Sequence, residues 1–425
     1  MFRFLLLAAL LLLPAELRAG TAAEKAGFAP KLMIYLAKGD ANSCGPGCDR
    51  WIAVEGEVDR GASARIRRFL AAVKDPQRPI YFHSPGGSVG ESYSIARLLR
   101  ARKAVARVGR TIVAACGAGP QLDDACLKIK SGGGEVQAEL ATRRAMCNSA
   151  CSYMILGATT REVAPDAAVA VHSSKLTVAF QGHPSPQQLA EYRNRSMAKA
   201  DRERAAFVVA MGVSHELDDL IKTVKFESLH VLTRPELYRF GIDTRPLSET
   251  AWTLESAARP YLRKIALSKR DNDASFRLLE WHLYCENKDR ARLMFVREFD
   301  QGVAPFDSMM MMAAPERSVA FGRLPARIGK YDVWSDPVVP EVMKAMLAAD
   351  HLQMGEGSTA VDGKSHVVTF DIGTNGLAAG WSKLLESCPA ASVAARPAAV
   401  VPGVGAAAAQ AAPAPAVPTP AAPSQ

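Results

Sequence analysis

A buried strand followed at once by a glycine turn and a capped helix constrains this chain more than any other feature. Residues 79–82 are apolar and of strand type, and residues 84–87 read Ser-Pro-Gly-Gly. Ser88 then provides a helix N-cap, and Glu91 three residues later completes a capping box. Residues 104–108 form the next apolar strand. This order of strand, helix and strand predicts parallel α/β construction.

The length of 425 residues is too great for a single hydrophobic core and predicts two folded domains with tails. No internal repeat of fixed period is visible. We expect a signal peptide at residues 1–19, an α/β domain at 30–248 with a cysteine-bearing insertion at 109–145, a smaller α+β domain at 249–389 that opens with a helix, and a disordered Ala/Pro-rich tail at 390–425.

The first residues have the pattern of a secretory signal. Arg3 gives a positive start, residues 4–13 are apolar without a break, and residues 17–19 form a small-residue exit. The apolar run is too short for a stable bilayer anchor, although an uncleaved anchor is the alternative. We therefore expect a periplasmic or secreted protein with no transmembrane segment after the signal is removed.

Export makes disulfides available to the eight cysteines. Cys44 and Cys48 bracket Gly-Pro-Gly, a tight loop that could close on itself. Cys285 and Cys388 are the only two cysteines in the C-terminal part, so their pairing is the simplest choice.

The other four cysteines surround the segment with the most chemical promise, and they are Cys116, Cys126, Cys147 and Cys151. A zinc site is the alternative to disulfides here, but the spacing resembles neither a ribbon nor a finger. We expect Cys147 and Cys151 to lie one turn apart on a helix, which is a poor geometry for a direct bond. Each should therefore pair with another cysteine.

The net charge of +9 is concentrated between residues 65 and 110, on two segments of amphipathic helix pattern. A basic face of this kind can attract anionic lipid or an acidic partner. A solvated helix surface is the alternative and the favoured interpretation. Nucleic acid is not expected as a partner, because the basic residues carry no aromatic interleaving and export removes the chain from it.

Residues 147–151 read Cys-Asn-Ser-Ala-Cys and begin a predicted helix over 148–157. Ser149 therefore lies at the positive end of a helix dipole. His172 ends a predicted strand at 167–172 and can act as a general base.

Gly86 and Gly87 can present backbone N–H groups to a developing oxyanion, and the Ala150 N–H is a natural further donor. A serine, a histidine and such donors are what acyl transfer by a serine nucleophile requires. If the pieces do not converge, they are a glycine turn, a capping serine and a polar strand end.

Residues 50–245 resemble the Clp-type serine peptidases of the Clp/crotonase fold, and most of all the exported bacterial relatives with a Ser-Ala-Cys nucleophile segment. Four separated pieces carry the resemblance in the same order: residues 84–88 with 98–99, 149–151 with 155–157, 161–172, and 232–243. The resemblance implies a spiral of parallel strands and helices. It also implies Ser149 as nucleophile, His172 as base, and Gly87 and Ala150 as oxyanion donors.

The chain departs from the family at the catalytic acid, because Leu229 occupies the position of that residue. Glu227 and Asp243 are weak substitutes, and a Ser–His dyad is an alternative to a triad. Ser152 is a second candidate nucleophile. A Ser–Lys dyad, as in related signal-peptide peptidases, would need Lys175.

The leading hypothesis is an exported serine endopeptidase that acts on peptide or unfolded protein without metal or cofactor. The resemblance also makes a homo-oligomer a fair expectation. A catalytically inactive relative that serves as a periplasmic binding scaffold is the alternative, which the missing acid favours. An acyl-CoA enzyme of the crotonase type is disfavoured, because CoA esters are cytoplasmic.

Overall fold

The computed structural model describes residues 30–117, 121–175, 183–270, 274–288, 290–299, 309–314, 317–321, 324–359 and 363–388. The predicted signal peptide and the predicted tail after residue 389 lie outside the described residues. None of the described helices is both long enough and apolar enough to cross a lipid bilayer.

Ten strands form the N-terminal region: β1 (Met33–Lys38), β2 (Arg50–Glu55), β3 (Ile80–His83), β4 (Val105–Val108), β5 (Arg110–Val113), β6 (Glu135–Ala141), β7 (Met146–Asn148), β8 (Thr160–Glu162), β9 (Ala168–Val171) and β10 (His230–Val231). Seven of them make one sheet in the order β5-β6-β1-β2-β3-β4-β8. The run β2-β3-β4-β8 is parallel, as the strand–helix–strand order predicts. The described N-terminal region is therefore α/β.

The helices of this region are α1 (Ala62–Ala72), α2 (Val89–Ala101), α3 (Asp124–Ser131), α4 (Ala150–Leu156), α5 (Pro186–Ala210), α6 (Glu216–Thr223) and α7 (Arg234–Arg239). Ser88 caps α2 by accepting the Glu91 N–H. The Glu91 carboxylate does not close the predicted capping box, because it accepts the N–H groups of Gly61 and Ser63 at the start of α1. One carboxylate thus joins the first turns of two neighbouring helices.

The predicted insertion at 109–145 contains β5, α3 and β6. Its last strand, β6, lies inside the main sheet, parallel to β1 and antiparallel to β5. Its helix α3 buries Lys130, whose Nζ lies 2.7 Å from the buried Glu55 carboxylate. Tyr35 donates to the same carboxylate at 2.8 Å. A buried charge requires such partners, so this ion pair fixes the insertion to the sheet.

A second sheet of three strands, in the order β10-β9-β7, lies where the glycine turn leaves β3. Strands β7 and β9 are parallel, with Asn148 opposite Ala170. Ser84, directly after β3, donates its N–H to Met146 O at 2.8 Å and accepts the Asn148 N–H at 3.0 Å. The end of β3 and the ends of β7 and β9 are therefore joined by main-chain hydrogen bonds.

The C-terminal region contains strands β11 (Leu247–Glu249), β12 (Thr253–Glu255), β13 (Tyr261–Lys269), β14 (Phe276–Asn287), β15 (Arg290–Glu298), β16 (Met309–Ala314), β17 (Arg317–Ala320), β18 (Ala326–Ile328), β19 (Tyr331–Val338), β20 (His351–Thr359) and β21 (Ser365–Gly373), with helices α8 (Pro340–Ala348) and α9 (Leu377–Glu386). They form two antiparallel sheets, one of order β11-β13-β14-β15-β19-β18 with β12 also on β13, and one of order β17-β16-β20-β21. The prediction of an opening helix is wrong, because β11 and β12 both pair with β13. Buried and less buried residues alternate along β13, which is the two-residue period of a strand and not the period of a helix.

Aromatic side chains fill the centre of this region. Trp281 and Phe295 pack 5.0 Å apart, and Phe295 lies 5.5 Å from Trp334. The buried carboxylate of Glu356 pairs with both Arg277 and Arg297. These ion pairs therefore join β20 of one antiparallel sheet to β14 and β15 of the other.

Candidate active site

The glycine turn after β3 is held by main-chain hydrogen bonds to Val58. Gly86 accepts the Val58 N–H at 2.7 Å, and Ser88 donates to Val58 O at 2.7 Å. Gly86 and Gly87 have φ angles of 106° and 138°, which side-chain-bearing residues rarely adopt. The turn therefore has a fixed shape that depends on glycine.

The turn lies directly against Ser149. A Cβ placed on Gly86 would lie 2.7 Å from Ser149 Cβ and 2.9 Å from Ala150 N. Real Cβ atoms do not approach other atoms so closely, so Gly86 is required for the contact. The glycine turn and the candidate nucleophile, 63 positions apart along the chain, meet in the folded protein.

Ser149 occupies a sharp turn between β7 and α4. Its φ is 53° and its ψ is −123°, an unfavourable conformation for a residue with a side chain. Its N–H donates to Ala170 O at 2.8 Å, which ties the turn to β9. The residue is half-buried. Backbone strain of about 1–3 kcal/mol persists only where the surroundings impose it, and it concentrates at functional sites.

The candidate oxyanion donors differ in their availability. The Gly86 N–H donates to Ser84 Oγ at 3.2 Å, so this predicted donor is already engaged. Within the described part of the chain, the N–H groups of Gly87 and Ala150 donate no hydrogen bond to the protein. Ala150 is the first residue of α4, where helical N–H groups have no partner in the helix itself. Gly87 and Ala150 therefore each keep a free N–H group among the described residues.

His172 follows the last residue of β9, the strand that runs parallel to β7. Its Nδ1 lies 2.7 Å from Ser173 O. A carbonyl oxygen only accepts hydrogen bonds, so we assign the proton to Nδ1, which leaves the lone pair on Nε2. The ring packs edge-on against Phe226 at 5.0 Å. The imidazole is thus held in the tautomer that a general base needs.

The described residues show no hydrogen bond between the Ser149 hydroxyl and His172. Catalytic hydrogen bonds are often long without substrate and tighten when it binds. The structure brings the glycine turn, Ser149 and the free donors together. It brings His172 to the end of the neighbouring strand β9, and no described hydrogen bond joins it to Ser149.

Neither candidate acid orients His172. Glu227 is exposed, and no hydrogen bond joins it to His172 within the described ranges. Asp243 is 1% exposed and forms ion pairs with Arg234 and Arg245 while accepting the Val163 N–H. Burial raises the pKa of Asp243, but its bonds and charge contacts with the arginines outweigh burial and leave the pKa below its usual value. Its role in the structure is to link chain segments.

The alternative nucleophile and base are also placed differently from Ser149 and His172. Ser152 is 3% exposed, and its hydroxyl donates to Ser149 O at 2.6 Å. That hydroxyl caps the turn and does not face solvent. Lys175 is exposed, and its Nζ lies 5.8 Å from the centre of the Phe226 ring.

All eight cysteines are in disulfides, and the pairs are Cys44–Cys48, Cys116–Cys126, Cys147–Cys151 and Cys285–Cys388. The zinc alternative is thereby excluded. The prediction that Cys147 and Cys151 pair elsewhere is wrong. It assumed a helix from residue 148, whereas Cys147 lies in β7 and α4 begins at Ala150. The turn at Ser149 brings the two Cα atoms to 5.0 Å.

Two contributors to the site were missed from the sequence. Ser84 Oγ accepts the N–H two residues later, a turn pattern that Ser before Pro-Gly could have indicated. The carbonyl of Ser173 on His172 carries no sequence signal, because every residue has one. Among the described residues there is no cluster of three or more His, Cys, Asp or Glu side chains suited to a metal ion.

No family model and no curated protein matches the sequence. Among solved structures, the chain is similar to a mutant of the 1510-N membrane-bound stomatin-specific protease, at 13% identity over 45% of this chain and 75% of that one, with a TM-score of 0.28. It is similar to a mutant of ClpP1 from Listeria monocytogenes at 15% identity, over 44% of this chain and 85% of that one, with a TM-score of 0.26. Invasion associated protein B from Bartonella henselae matches 33% of this chain and 93% of its own length, at 10% identity and a TM-score of 0.24. Likeness this distant carries no argument about function, which must come from the geometry of the site.

Proposed function

We propose that this chain is an exported serine peptidase that cleaves peptide or unfolded protein through Ser149 and His172. The close packing of Gly86 against Ser149 is the observation that carries the proposal. It supports an arrangement in which the Ser149 hydroxyl would lie beside the N–H groups of Gly87 and Ala150. The resemblance of residues 84–88 and 149–151 to the Clp-type peptidases supports the same assignment.

In the proposed reaction, His172 Nε2 takes the proton of the Ser149 hydroxyl while Ser149 Oγ attacks the carbon of the scissile carbonyl. The negative charge on the carbonyl oxygen is stabilised by the N–H groups of Gly87 and Ala150. A preorganised donor of this kind contributes about 3 kcal/mol or more to the transition state. His172 then gives the proton to the leaving amine, and water hydrolyses the acyl-enzyme by the same steps in reverse.

The orienting group of the proposed site is the Ser173 carbonyl. It accepts the Nδ1 proton of His172, as a carboxylate does in a triad. A neutral carbonyl stabilises the imidazolium less than a carboxylate does, so we expect a slower enzyme than one with a full triad.

Export is part of the proposal. Four disulfides fit an oxidising compartment such as the periplasm or the extracellular space. The apolar run at residues 4–13 is the sequence feature that supports it.

A catalytically inactive scaffold is the second candidate. The observation in its favour is that neither Ser149 nor a carboxylate hydrogen-bonds to His172 within the described residues. On this alternative, the exposed side chain of Phe226, which packs against His172, would bind a partner and Ser149 would have no reactivity.

Labelling with a fluorophosphonate–rhodamine probe separates the two candidates. We expect the full chain to be labelled on Ser149, and the label to be lost in Ser149→Ala. Ser382→Ala is the matched control, because Ser382 is exposed on α9 and bonds only within its helix. Absence of label on a folded wild-type protein would support the scaffold.

A further inference from the structure

The Cys147–Cys151 disulfide encloses the candidate nucleophile. Only Asn148, Ser149 and Ala150 lie between its two cysteines. Both cysteines are fully buried in the core, Cys147 in β7 and Cys151 in α4. The ring therefore contains Ser149 and one of the two free oxyanion donors, and it anchors them to the packed interior.

Hydrogen bonds hold both sides of this turn, and on the α4 side Ser149 O accepts the N–H of Ser152 at 3.0 Å and its hydroxyl at 2.6 Å. Strand β7 is held between Ser84 on one edge and β9 on the other. Helix α4 starts immediately after the turn and is buried along its whole length, so its position is set by core packing. Ser149, at a φ of 53°, is the single residue that connects these two bodies. The disulfide is the second covalent link between them.

We propose that the Cys147–Cys151 disulfide is a positioning device for catalysis, which holds the Ser149 hydroxyl and the Ala150 N–H in register for attack. This inference rests on the proposed peptidase function. Reactive groups must be held within about 0.5 Å of the productive geometry, and a misplacement of about 1 Å can cost about 100-fold in rate. A turn strained at Ser149 would relax if the link between β7 and α4 were opened.

The chain contains a matched comparison. Cys44 and Cys48 are also four residues apart, with the same Cα separation of 5.0 Å. Their ring encloses residues 45–47, which carry no candidate catalytic group, and Cys44 packs in a different core cluster with Trp51. A general requirement for short disulfides would affect both rings, whereas a positioning role affects one.

The test compares Cys147→Ala/Cys151→Ala with Cys44→Ala/Cys48→Ala in the full chain. The probe is the fluorophosphonate, for which the maximal labelling rate and the half-saturating concentration are measured separately. We expect the first variant to lose about 10- to 100-fold in maximal rate per folded molecule, with half-saturation unchanged. The second variant should stay within about twofold of wild type.

Folding is monitored by circular dichroism and thermal unfolding, so that rates refer to folded protein. If the alanine variant does not fold, Cys147→Ser/Cys151→Ser is measured instead. If neither folds, wild type is titrated with dithiothreitol, and alkylation with peptide mass spectrometry reports which disulfide has opened.

Equal labelling of the two double variants, or loss that follows opening of another disulfide, would overturn the inference while the proposed function stands. A folded wild type that takes no label at Ser149 would instead overturn the proposed function itself.

Discussion

The N-terminal and C-terminal regions both pair their buried charges, as Glu55 with Lys130 in the α/β region, but they differ around Ser149. In the antiparallel C-terminal sheets, buried charges are paired with one another, as Glu356 is with Arg277 and Arg297. In the α/β region, the ends of β3, β7 and β9 also leave the Ser149 hydroxyl and the N–H groups of Gly87 and Ala150 without protein partners among the described residues. Unsatisfied groups held on a rigid frame can do chemistry, and satisfied ones stabilise the fold.

The largest expected effect comes from removing the proposed general base, which leaves the main-chain hydrogen bonds of the site in place. His172→Ala should lower the rate of Ser149 labelling by about 10²- to 10⁴-fold, because general-base assistance of that size is lost. His183→Ala is the matched control, since His183 is exposed. Rates are measured with the fluorophosphonate probe. A labelling rate unchanged in His172→Ala would show that the imidazole is not the base.

The second prediction tests the other region. Glu356→Gln removes one charge from the buried cluster with Arg277 and Arg297, so it should lower the free energy of unfolding by about 3–5 kcal/mol. Labelling of Ser149 per folded molecule should not change. Urea unfolding followed by circular dichroism measures the loss, and the exposed Asp371→Asn is the control. Reduced labelling of the folded variant would mean that the two regions are not functionally separate.

The third prediction concerns the glycine turn, which packs directly against Ser149. Gly86→Ala should lower the labelling rate at least 10-fold and destabilise the protein by about 1–3 kcal/mol, because its Cβ would overlap Ser149 and its φ is 106°. Gly90→Ala in α2 is the control, since no atom lies within 4 Å of its Cβ position. That control should be neutral or slightly stabilising. Similar behaviour of both variants would show that Gly86 does not shape the site.

Local patterns were sufficient to predict much of the α/β region. Strand β3, the turn and the start of α2 lie within about one residue of the predicted positions, because the cap residue, the glycine pair and the apolar period agree there. The placement of β6 beside β1 was not predicted, since it depends on pairing between residues about 100 positions apart. In the C-terminal region, the opening strands were taken for a helix because short segments carry little period.

In the candidate site, too, local patterns were predictable from the sequence and features set by tertiary contacts were not. The order of glycine turn, serine helix and histidine strand was readable, and the contact of Gly86 with Ser149 agrees with the convergence it suggested. The start of α4 was placed two residues early, and the disulfide prediction failed with it. The positive φ of Ser149 is imposed by tertiary contacts. A glycine at this position would have indicated such a turn, but the sequence has a serine there. The roles of Ser149 and His172 remain predictions that the labelling experiments test.

The smallest expected effect concerns a histidine that links two strands of the α/β region. His83 ends β3, and its Nδ1 accepts the Met146 N–H at 3.2 Å, which links β3 to β7. Burial lowers the pKa of His83; the nearby Glu55 opposes this shift, and Arg110 and Lys130 add to it. The unfolded chain therefore binds this proton more readily than the folded one. Stability should fall as the pH drops through about 6.5 and below, by no more than about 1.4 kcal/mol per pH unit for one proton.

His83→Asn isolates this contribution, because the asparagine oxygen can accept the Met146 N–H but does not titrate. The variant should lose the part of the pH dependence that lies between about pH 5 and 7, as measured by urea unfolding at each pH. Ser149 labelling at pH 8 should stay within about twofold of wild type, since the link between β3 and β7 is retained. If the free energy of unfolding of the variant keeps its full pH dependence, another group titrates in this range. His83 would then not be the residue that makes the α/β region sensitive to acid.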